Sequence, residues 1–127
     1  MKLFLLFSHS LTPPQEEDAR ISLGVTDIRP LPADLQQLWS QVPPDLEELG
    51  SMASPIWDWL EHEAQVGDYV LVQGDFGLTY ATVNKSIGLG LVPIYATTER
   101  KSTETTNAQG QVTKTLVFTH VRFRRYG

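Results

Sequence analysis

Residues 68–98 constrain the fold of this chain more than any other stretch. They open with a short apolar run, Tyr69–Val72, whose residue types favour a strand. A turn with two glycines follows at residues 73–77, and helix-compatible sequence then covers residues 78–89. A second apolar run covers residues 91–96. Strand, turn, helix and strand form a βαβ unit, which predicts a parallel sheet with a right-handed connection.

The rest of the chain continues the alternation of strands and helices. Strands are predicted over residues 2–7 and 25–31, and helices over residues 13–23, 32–42 and 52–64. Thr12 and Gln15 form a capping box that marks the start of the first helix. Residues 99–126 alternate around a turn at residues 107–110 and predict a β-hairpin. We therefore expect an α/β fold in one domain, residues 1–127. Its Rossmann-like, mostly parallel sheet has flanking helices, and the C-terminal β-hairpin gives it an antiparallel edge strand.

The composition excludes several classes of protein. The chain of 127 residues is 41% hydrophobic, which suffices for the core of one domain, and it has no cysteine. Disulfides, thiolate nucleophiles and cysteine-based zinc sites are therefore excluded, and no set of His, Asp and Glu has a spacing typical of a metal site. The apolar run at residues 3–7 is too short for a signal peptide, and no run is long enough to span a membrane. We expect a cytoplasmic protein that uses no metal or other cofactor.

The net charge of −5 conceals an asymmetry along the chain. Residues 1–75 carry three basic and thirteen acidic side chains, a net charge of −10. Residues 76–127 carry seven basic and two acidic side chains, a net charge of +5. The acidic part argues against binding along a long nucleic acid, whereas the basic C-terminal part is compatible with a localised anion site. Arg122, Arg124 and Arg125 fit either such a site or a solvated edge strand.

The glycine turn is the first candidate for a ligand site. Ligands of open parallel sheets bind beyond the carboxyl ends of the strands, where Gly74 and Gly77 would let backbone N–H groups approach an anion. Thr79 and Tyr80 add hydroxyl groups one turn further on. The turn lacks the G-x-G-x-x-G and G-x-x-x-x-G-K-[ST] patterns, so a dinucleotide-binding or P-loop protein is not expected. A glycine turn that only links strand to helix is the simpler alternative.

Four blocks of sequence carry a resemblance to a known family. They are LLFSHSLT at residues 5–12, GDYVLVQGDFG at residues 67–77, VPIYATT at residues 92–98 and HVRFR at residues 120–124. In their order and spacing they resemble the twentieth family of Csx proteins, small CRISPR-associated proteins of type III systems. That family is similar to CARF-type domains, which are Rossmann-like and sense cyclic oligoadenylate messengers at the interface of a homodimer. The resemblance therefore implies a CARF-like homodimer whose ligand is a cyclic oligoadenylate, most simply cyclic tetra-adenylate.

The resemblance also implies an activity. Some proteins of the CARF group are ring nucleases, which open the cyclic messenger without a metal ion and switch off antiviral signalling. In their reaction a ribose 2′-hydroxyl attacks the adjacent phosphate in line and leaves a 2′,3′-cyclic phosphate end. A module that binds and sequesters the messenger without cutting it is the main alternative, and a generic nucleotide-binding or structural α/β protein is another. An effector ribonuclease is less compatible, since no arginine precedes a histidine at the spacing of its R-x(4–6)-H motif.

Three segments are expected to meet at one rim of the sheet and to hold this ligand. His9 is the predicted proton-transfer residue, because a free histidine titrates near neutral pH, although it equally fits a hydrogen-bonding role. Arg100, the second predicted catalytic residue, would neutralise phosphate charge. The predicted ligand contacts are Ser8, Ser10, Gln73, Gly74, Asp75, Phe76, Gly77, Thr79, Tyr80, Thr97, Thr98 and Lys101. Asp75 also fits a helix cap, which is the simpler interpretation.

Overall fold

The computed structural model describes residues 1–127, which form one five-stranded sheet and four helices. In chain order the elements are β1 (Lys2–Leu6), α1 (Pro13–Ser22), β2 (Asp27–Pro30), α2 (Ala33–Ser40), α3 (Gly50–Glu63), β3 (Tyr69–Val72), α4 (Phe76–Gly88), β4 (Val92–Thr106) and β5 (Val112–Arg125). The strand order in the sheet is β2-β1-β3-β4-β5. The first four strands are parallel, and β5 is antiparallel to β4 at the edge. The predicted α/β class, mostly parallel sheet and antiparallel edge strand are therefore confirmed.

Alternation along the strands sends side chains to two buried faces of the sheet. Leu3 and Leu5 of β1 belong to one face, where they pack in the same cluster as Ala19 of α1. Phe4 and Leu6 belong to the other face. The buried residues that α2, α3 and α4 add to that second face are Leu35, Trp39, Ala53, Ile56, Leu60 and Leu78. None of the four helices is long and apolar enough to cross a membrane.

The boundaries of α1 and α2 follow from local signals. Thr12 Oγ1 accepts a hydrogen bond from the Gln15 N–H at 3.4 Å, and Gln15 Oε1 accepts one from the Thr12 N–H at 2.9 Å. The predicted capping box is therefore confirmed. The second helix ends at Ser40 and not at Val42 as predicted, because a residue that precedes a proline, here Pro43, disfavours helical backbone angles.

The C-terminal hairpin is longer than the sequence predicts. β4 does not end at residue 96 but continues to Thr106, paired throughout with β5. Only three residues of β4, Val92, Pro93 and Ile94, also pair with β3, so the rest of the hairpin projects past the sheet as a two-stranded ribbon. The predicted hairpin over residues 99–126 is therefore confirmed, and its first strand continues β4 without a break. We call residues 98–120 the arm.

A polar contact between α1 and β5 lies at the base of the arm. His120 Nε2 lies 2.7 Å from Asp18 Oδ2, and the Ser22 hydroxyl donates to the other oxygen of the same carboxylate. Burial by itself would raise the pKa of Asp18. The hydrogen bonds from Ser22 and His120, together with the charges of His120 and Arg122, outweigh burial and lower the pKa of Asp18 below its ordinary value. The contact therefore holds α1 against the edge strand most firmly when Asp18 is ionised.

Asp18→Asn is expected to lower the free energy of unfolding by about 1 kcal/mol near pH 7, because the charged acceptor of these hydrogen bonds is lost. The pKa of Asp18 is lower in the folded chain than in the unfolded one. Its stabilisation is therefore complete above about pH 5 and is lost as the pH falls below the ordinary pKa of 3.8 and through the lower folded pKa. Urea denaturation should thus show a smaller loss of stability between about pH 5 and about pH 3 in the variant than in the wild type. Glu17→Gln, at an exposed position of the same helix, should reproduce the wild-type profile, and an Asp18→Asn profile parallel to the wild type would contradict this assignment.

Candidate functional site

The connections that follow the neighbouring strands β1 and β3 lead toward opposite edges of the sheet. From β1 the chain passes through α1 to β2 on one side, whereas β3 lies on the other side of β1 and leads through α4 to β4. The two ends stay adjacent, since the Gln73 N–H donates to the Leu6 carbonyl at 3.0 Å. A reversal of strand order of this kind is where ligands of open α/β sheets bind.

The loop after β1 lines an open cleft of about 740 Å³ beside β2, which we call the His9 cleft. Ser8, His9 and Ser10 are all exposed there. The other polar residues that line it are Glu16, Arg20, Thr26, Asp27, and Gln36. Gln36 Nε2 donates to the Phe7 carbonyl at 2.9 Å and so fixes the start of the loop. The His9 ring stands edge-on to the Phe7 ring, with centroids 6.3 Å apart, and the residue is exposed, so a ligand can reach it.

The turn after β3 is held from two sides. Trp39 Nε1 donates to the Gln73 carbonyl at 3.0 Å, and Gln73 Oε1 accepts from the Ala96 N–H at 2.9 Å. The side chain of Gln73 therefore joins β3 to β4, a use within the fold that the sequence analysis did not anticipate. Gly74 lies so close to the indole that a Cβ built on it would be 2.8 Å from Trp39 Nε1. This close approach is the physical reason for a glycine at position 74.

Asp75 caps α4, and the simpler interpretation of this residue is confirmed. Its Oδ2 accepts from the Leu78 N–H at 3.0 Å. The N–H groups of Phe76 and Gly77 precede the first intrahelical donors and receive no acceptor from the chain. The amino end of α4 therefore offers two backbone donors and the positive end of a helix dipole to an anion.

A smaller cavity of about 400 Å³, the aromatic cavity, opens beside this turn. It is lined by Gln73, Gly74, Phe76, Thr79, Tyr95 and Tyr126. The Tyr95 and Tyr126 rings lie 4.8 Å apart, and Arg124 donates to the Tyr95 hydroxyl at 3.0 Å. Burial, with a smaller contribution from Tyr95, raises the pKa of Tyr126 above its ordinary value. The Tyr126 hydroxyl therefore stays protonated and donates to the Val72 carbonyl, whereas the buried Thr79 hydroxyl has no partner.

Phe76 and Tyr80 project from the first two turns of α4 into solvent. Phe76 is 95% exposed and Tyr80 is 73% exposed. Four residues apart on a helix, they lie on the same side of it. An exposed ring presents apolar surface to water, and a stacked partner would remove that surface from water. Aromatic rings next to free backbone donors suit a ligand that combines a base with a phosphate.

Arg100 and Lys101 do not lie where the sequence analysis expected them. They belong to the arm, inside β4, and line neither the His9 cleft nor the aromatic cavity. The Arg100 guanidinium lies over the Phe118 ring, 5.4 Å from its centroid, and Lys101 Nζ lies 4.0 Å from a carboxylate oxygen of Glu99. The expectation that three segments meet at one rim is therefore wrong for these two residues, because β4 runs on instead of ending before them.

Thr97 and Thr98 lie at the base of the arm. Thr97 Oγ1 donates to the Arg122 carbonyl at 2.9 Å, so its hydroxyl is used between β4 and β5. Thr97 pairs with Arg122 and Thr98 with His120, which leaves Val121 as a bulge residue. A bulge bends the strand and increases its twist, so the arm changes direction at this point.

Few cations surround the two cavities. Arg20 of the His9 cleft pairs with Glu16 at 3.2 Å, which offsets its charge. Arg124 lies beside the aromatic cavity, with its guanidinium 5.6 Å from the centroid of the Tyr95 ring. No three His, Cys, Asp or Glu side chains lie close enough together to hold a metal ion. Backbone N–H groups, hydroxyls and aromatic rings are therefore the principal ligand contacts that one chain offers.

Several residues that line these cavities were missed by the sequence analysis, among them Tyr95, Tyr126 and Gln36. Tyr95 could have been found, because it directly precedes Ala96 at the end of an apolar run. Tyr126 and Gln36 carry no local signal, since they reach the cavities from the chain terminus and from α2. Their positions follow from packing between distant segments.

The comparison with known proteins assigns the chain to a family. Its sequence matches the model of the "Uncharacterized protein MJ1673 family" over residues 1–124. The chain belongs to the MJ1673 family. It is similar to the "Uncharacterized protein MJ1673" of Methanocaldococcus jannaschii, with 46% identity over 125 residues that cover 98% of this chain and 96% of that relative. No solved structure matches the chain. The match includes the arm, the His9 cleft and every residue that lines the aromatic cavity except Tyr126.

Proposed function

We propose that this MJ1673-family protein binds a cyclic oligoadenylate, most simply cyclic tetra-adenylate, and opens it as a metal-independent ring nuclease. In this role it switches off antiviral signalling by a type III CRISPR system, acting in the cytoplasm as a homodimer with a CARF-like, Rossmann-like domain. One observation carries the proposal: the exposed rings of Phe76 and Tyr80 flank the free backbone donors at the amino end of α4. The four sequence blocks that resemble the Csx family support the choice of ligand.

Two groups of the ligand, an adenine base and the adjoining phosphate, each match a feature of this surface. An adenine stacks on an exposed aromatic ring, and such stacking contributes about 1–3 kcal/mol per base in other nucleic-acid-binding proteins. The adjoining phosphate accepts hydrogen bonds from the N–H groups of Phe76 and Gly77. Because the loop after β1 starts beside the turn after β3, a ring larger than one nucleotide extends from the aromatic cavity toward His9.

Cleavage requires one bond to form and one to break. The ribose 2′-oxygen bonds to the adjacent phosphorus, and the bond from phosphorus to the 5′-oxygen breaks. The 2′-hydroxyl loses its proton and the leaving 5′-oxygen gains one, so no water is consumed. His9, exposed on its loop, is the residue that transfers a proton in this scheme. The turn and α4 hold the phosphate in line.

A specific observation favours the second candidate, a module that sequesters the ring without cutting it. Arg100 lies over Phe118 on the arm and lines neither cavity. One chain therefore has no unpaired cation beside His9 to stabilise the charge that develops on the phosphate during cleavage. Binding alone depends less on such a cation than cleavage does.

The test is to incubate the purified protein with cyclic tetra-adenylate in EDTA and to resolve the products by chromatography and mass spectrometry. Linear products with 2′,3′-cyclic phosphate ends would support the ring nuclease, and intact ring that co-elutes with the protein would support the sequestering module.

Phe76→Ala is expected to weaken ring binding about tenfold or more, because a stacking ring is lost. Ile87→Ala, at an exposed position near the other end of the same helix, should leave binding unchanged. Neither binding nor cleavage with the tri-, tetra- and hexa-adenylate rings would overturn the proposal.

A further inference from the structure

Gln73 presents free hydrogen-bond donors at the end of β3. Its Oε1 accepts from the Ala96 N–H at 2.9 Å, and this bond fixes which end of the amide faces β4, because only the oxygen of an amide accepts from an N–H. The Nε2 group receives no acceptor from the chain. It is also not among the side-chain atoms that are buried without a partner, which belong to Thr79 and His120. The donors on Nε2 are therefore held in place and open to a ligand.

These donors belong to the wall of the aromatic cavity, where the other polar side-chain groups are hydroxyls. Gln73 lines this cavity and not the His9 cleft. The Tyr95 oxygen accepts from Arg124 at 3.0 Å, which leaves the proton of the same hydroxyl free to be donated. The Thr79 hydroxyl is buried and has no partner, and no carboxylate lines the cavity. The cavity therefore suits a ligand that carries hydrogen-bond acceptors.

The walls of the cavity indicate which acceptor it takes. Tyr95 and Tyr126 line it with rings whose centroids are 4.8 Å apart, and the 95% exposed Phe76 lines it as well. Phosphate is strongly hydrated and loses its water at a cost against such surfaces, whereas a flat heterocycle packs on aromatic rings and keeps its acceptors at its edge. The volume of about 400 Å³ lies at the lower end of the range of small-molecule sites. A single nucleobase, with its phosphate at the nearby amino end of α4, matches this combination.

We propose that the aromatic cavity is a nucleobase pocket in which Gln73 Nε2 donates to an unprotonated ring nitrogen of the base. Adenine has such nitrogens at N1, N3 and N7. A base edge that carries an N–H would set donor against donor, so Gln73 selects bases that present an acceptor. The choice of adenine rests on the proposed function, whereas the pocket and its donors do not. Gln73 is then a specificity-determining residue that contacts the base and transfers no proton.

The test uses adenosine 5′-monophosphate (AMP) and its 1-deaza, 3-deaza and 7-deaza analogues, in each of which a C–H replaces one ring nitrogen. Affinities for the full chain are measured by calorimetric or NMR titration. One of these analogues is expected to bind the wild type about tenfold more weakly than AMP, because the Nε2 donor then has no acceptor. The other analogues should bind as AMP does. If AMP does not bind, or if no analogue binds more weakly than AMP, the proposal is wrong.

Gln73→Glu shows whether Gln73 is the donor that the analogue series detects. The variant keeps an oxygen for the Ala96 N–H and replaces Nε2 by an acceptor. Its added charge repels the phosphate of AMP and of every analogue alike, so this effect cancels in the ratio of their affinities. The ratio is expected to fall from about ten to about one in Gln73→Glu. It should stay at the wild-type value in Gln37→Glu, which adds the same charge at an exposed position of α2, and a wild-type ratio in Gln73→Glu would overturn the proposal.

A second measurement locates AMP in the wild type and depends on no variant. Gln36 lines the His9 cleft as Gln73 lines the aromatic cavity, but Gln36 Nε2 already donates to the Phe7 carbonyl at 2.9 Å. In NMR spectra of isotope-labelled protein, AMP is expected to shift the side-chain amide signals of Gln73 and to leave those of Gln36 in place. Shifts of the Gln36 signals alone would put the base in the His9 cleft and contradict the proposal.

The outcomes for the nucleobase pocket and for ring cleavage are separable. AMP that is bound through Gln73, with cyclic rings neither bound nor cut, would support the nucleobase pocket and overturn the proposed function. Rings that are bound and opened, with no analogue distinguished by Gln73, would support the proposed function and overturn the nucleobase pocket.

Discussion

Gly74→Ala is expected to lower the free energy of unfolding by about 2–4 kcal/mol, measured by urea denaturation. The added Cβ would lie 2.8 Å from Trp39 Nε1 and 3.1 Å from Cε2, inside van der Waals contact. The indole cannot move away freely, since it is 1% exposed and donates to the Gln73 carbonyl at 3.0 Å. Either the core is overpacked or this hydrogen bond is broken, and both outcomes displace the turn that holds the candidate ligand contacts.

Two variants separate this clash from a general effect of removing a glycine. Gly77→Ala lies in the same turn, but its Cβ would meet only ordinary contacts at 3.5 Å. Since alanine favours the first turn of a helix, this variant should be unchanged or up to about 1 kcal/mol more stable. In a Trp39→Phe background, which removes the crowded ring atoms, Gly74→Ala should cost less than in the wild type. An equal cost in both backgrounds would show that the indole is not the cause.

His9→Ala is expected to slow ring opening by about 100-fold or more, because the variant lacks the side chain that transfers the proton in the proposed mechanism. His9 is exposed, so the substitution should not change thermal stability. Ring affinity should stay close to that of the wild type, because the stacking and backbone contacts proposed above belong to α4 and the turn before it. Single-turnover rates at saturating protein, together with binding measured by competition, separate the two quantities.

His62→Ala is the matched control for this experiment. His62 is an exposed histidine on α3, which does not line either cavity, so its removal should leave rate and affinity unchanged. If His9→Ala weakened ring affinity but left the single-turnover rate unaltered, His9 would be a binding residue and not a proton donor or acceptor. If both variants slowed cleavage equally, the loop after β1 would not be the reacting site.

Much of the fold was predictable because its signals are local. β3 begins and ends at the predicted residues, since a run of four apolar, strand-favouring residues stands between polar residues and a glycine turn. The start of α1 was predictable because a capping box acts within four residues. The cap that Asp75 forms on α4 was predictable for the same reason, because it acts over only three residues. The arm was only partly predictable: its turn at Asn107 and Gly110 is local, but no buried face marks the extent of its strands.

The candidate site depended far more on contacts between distant residues. The reversal of strand order beside β1, the closeness of Gly74 to Trp39 and the pairing of Asp18 with His120 each join segments well apart in the chain, the last across 102 residues. The composition and short-range patterns of the sequence determined which residues form strands, helices and turns, because these preferences depend on a residue and its near neighbours. Only the tertiary structure decided which turns share a cavity and that Arg100 lies on an arm, because register and packing are set by long-range contacts that no local pattern encodes.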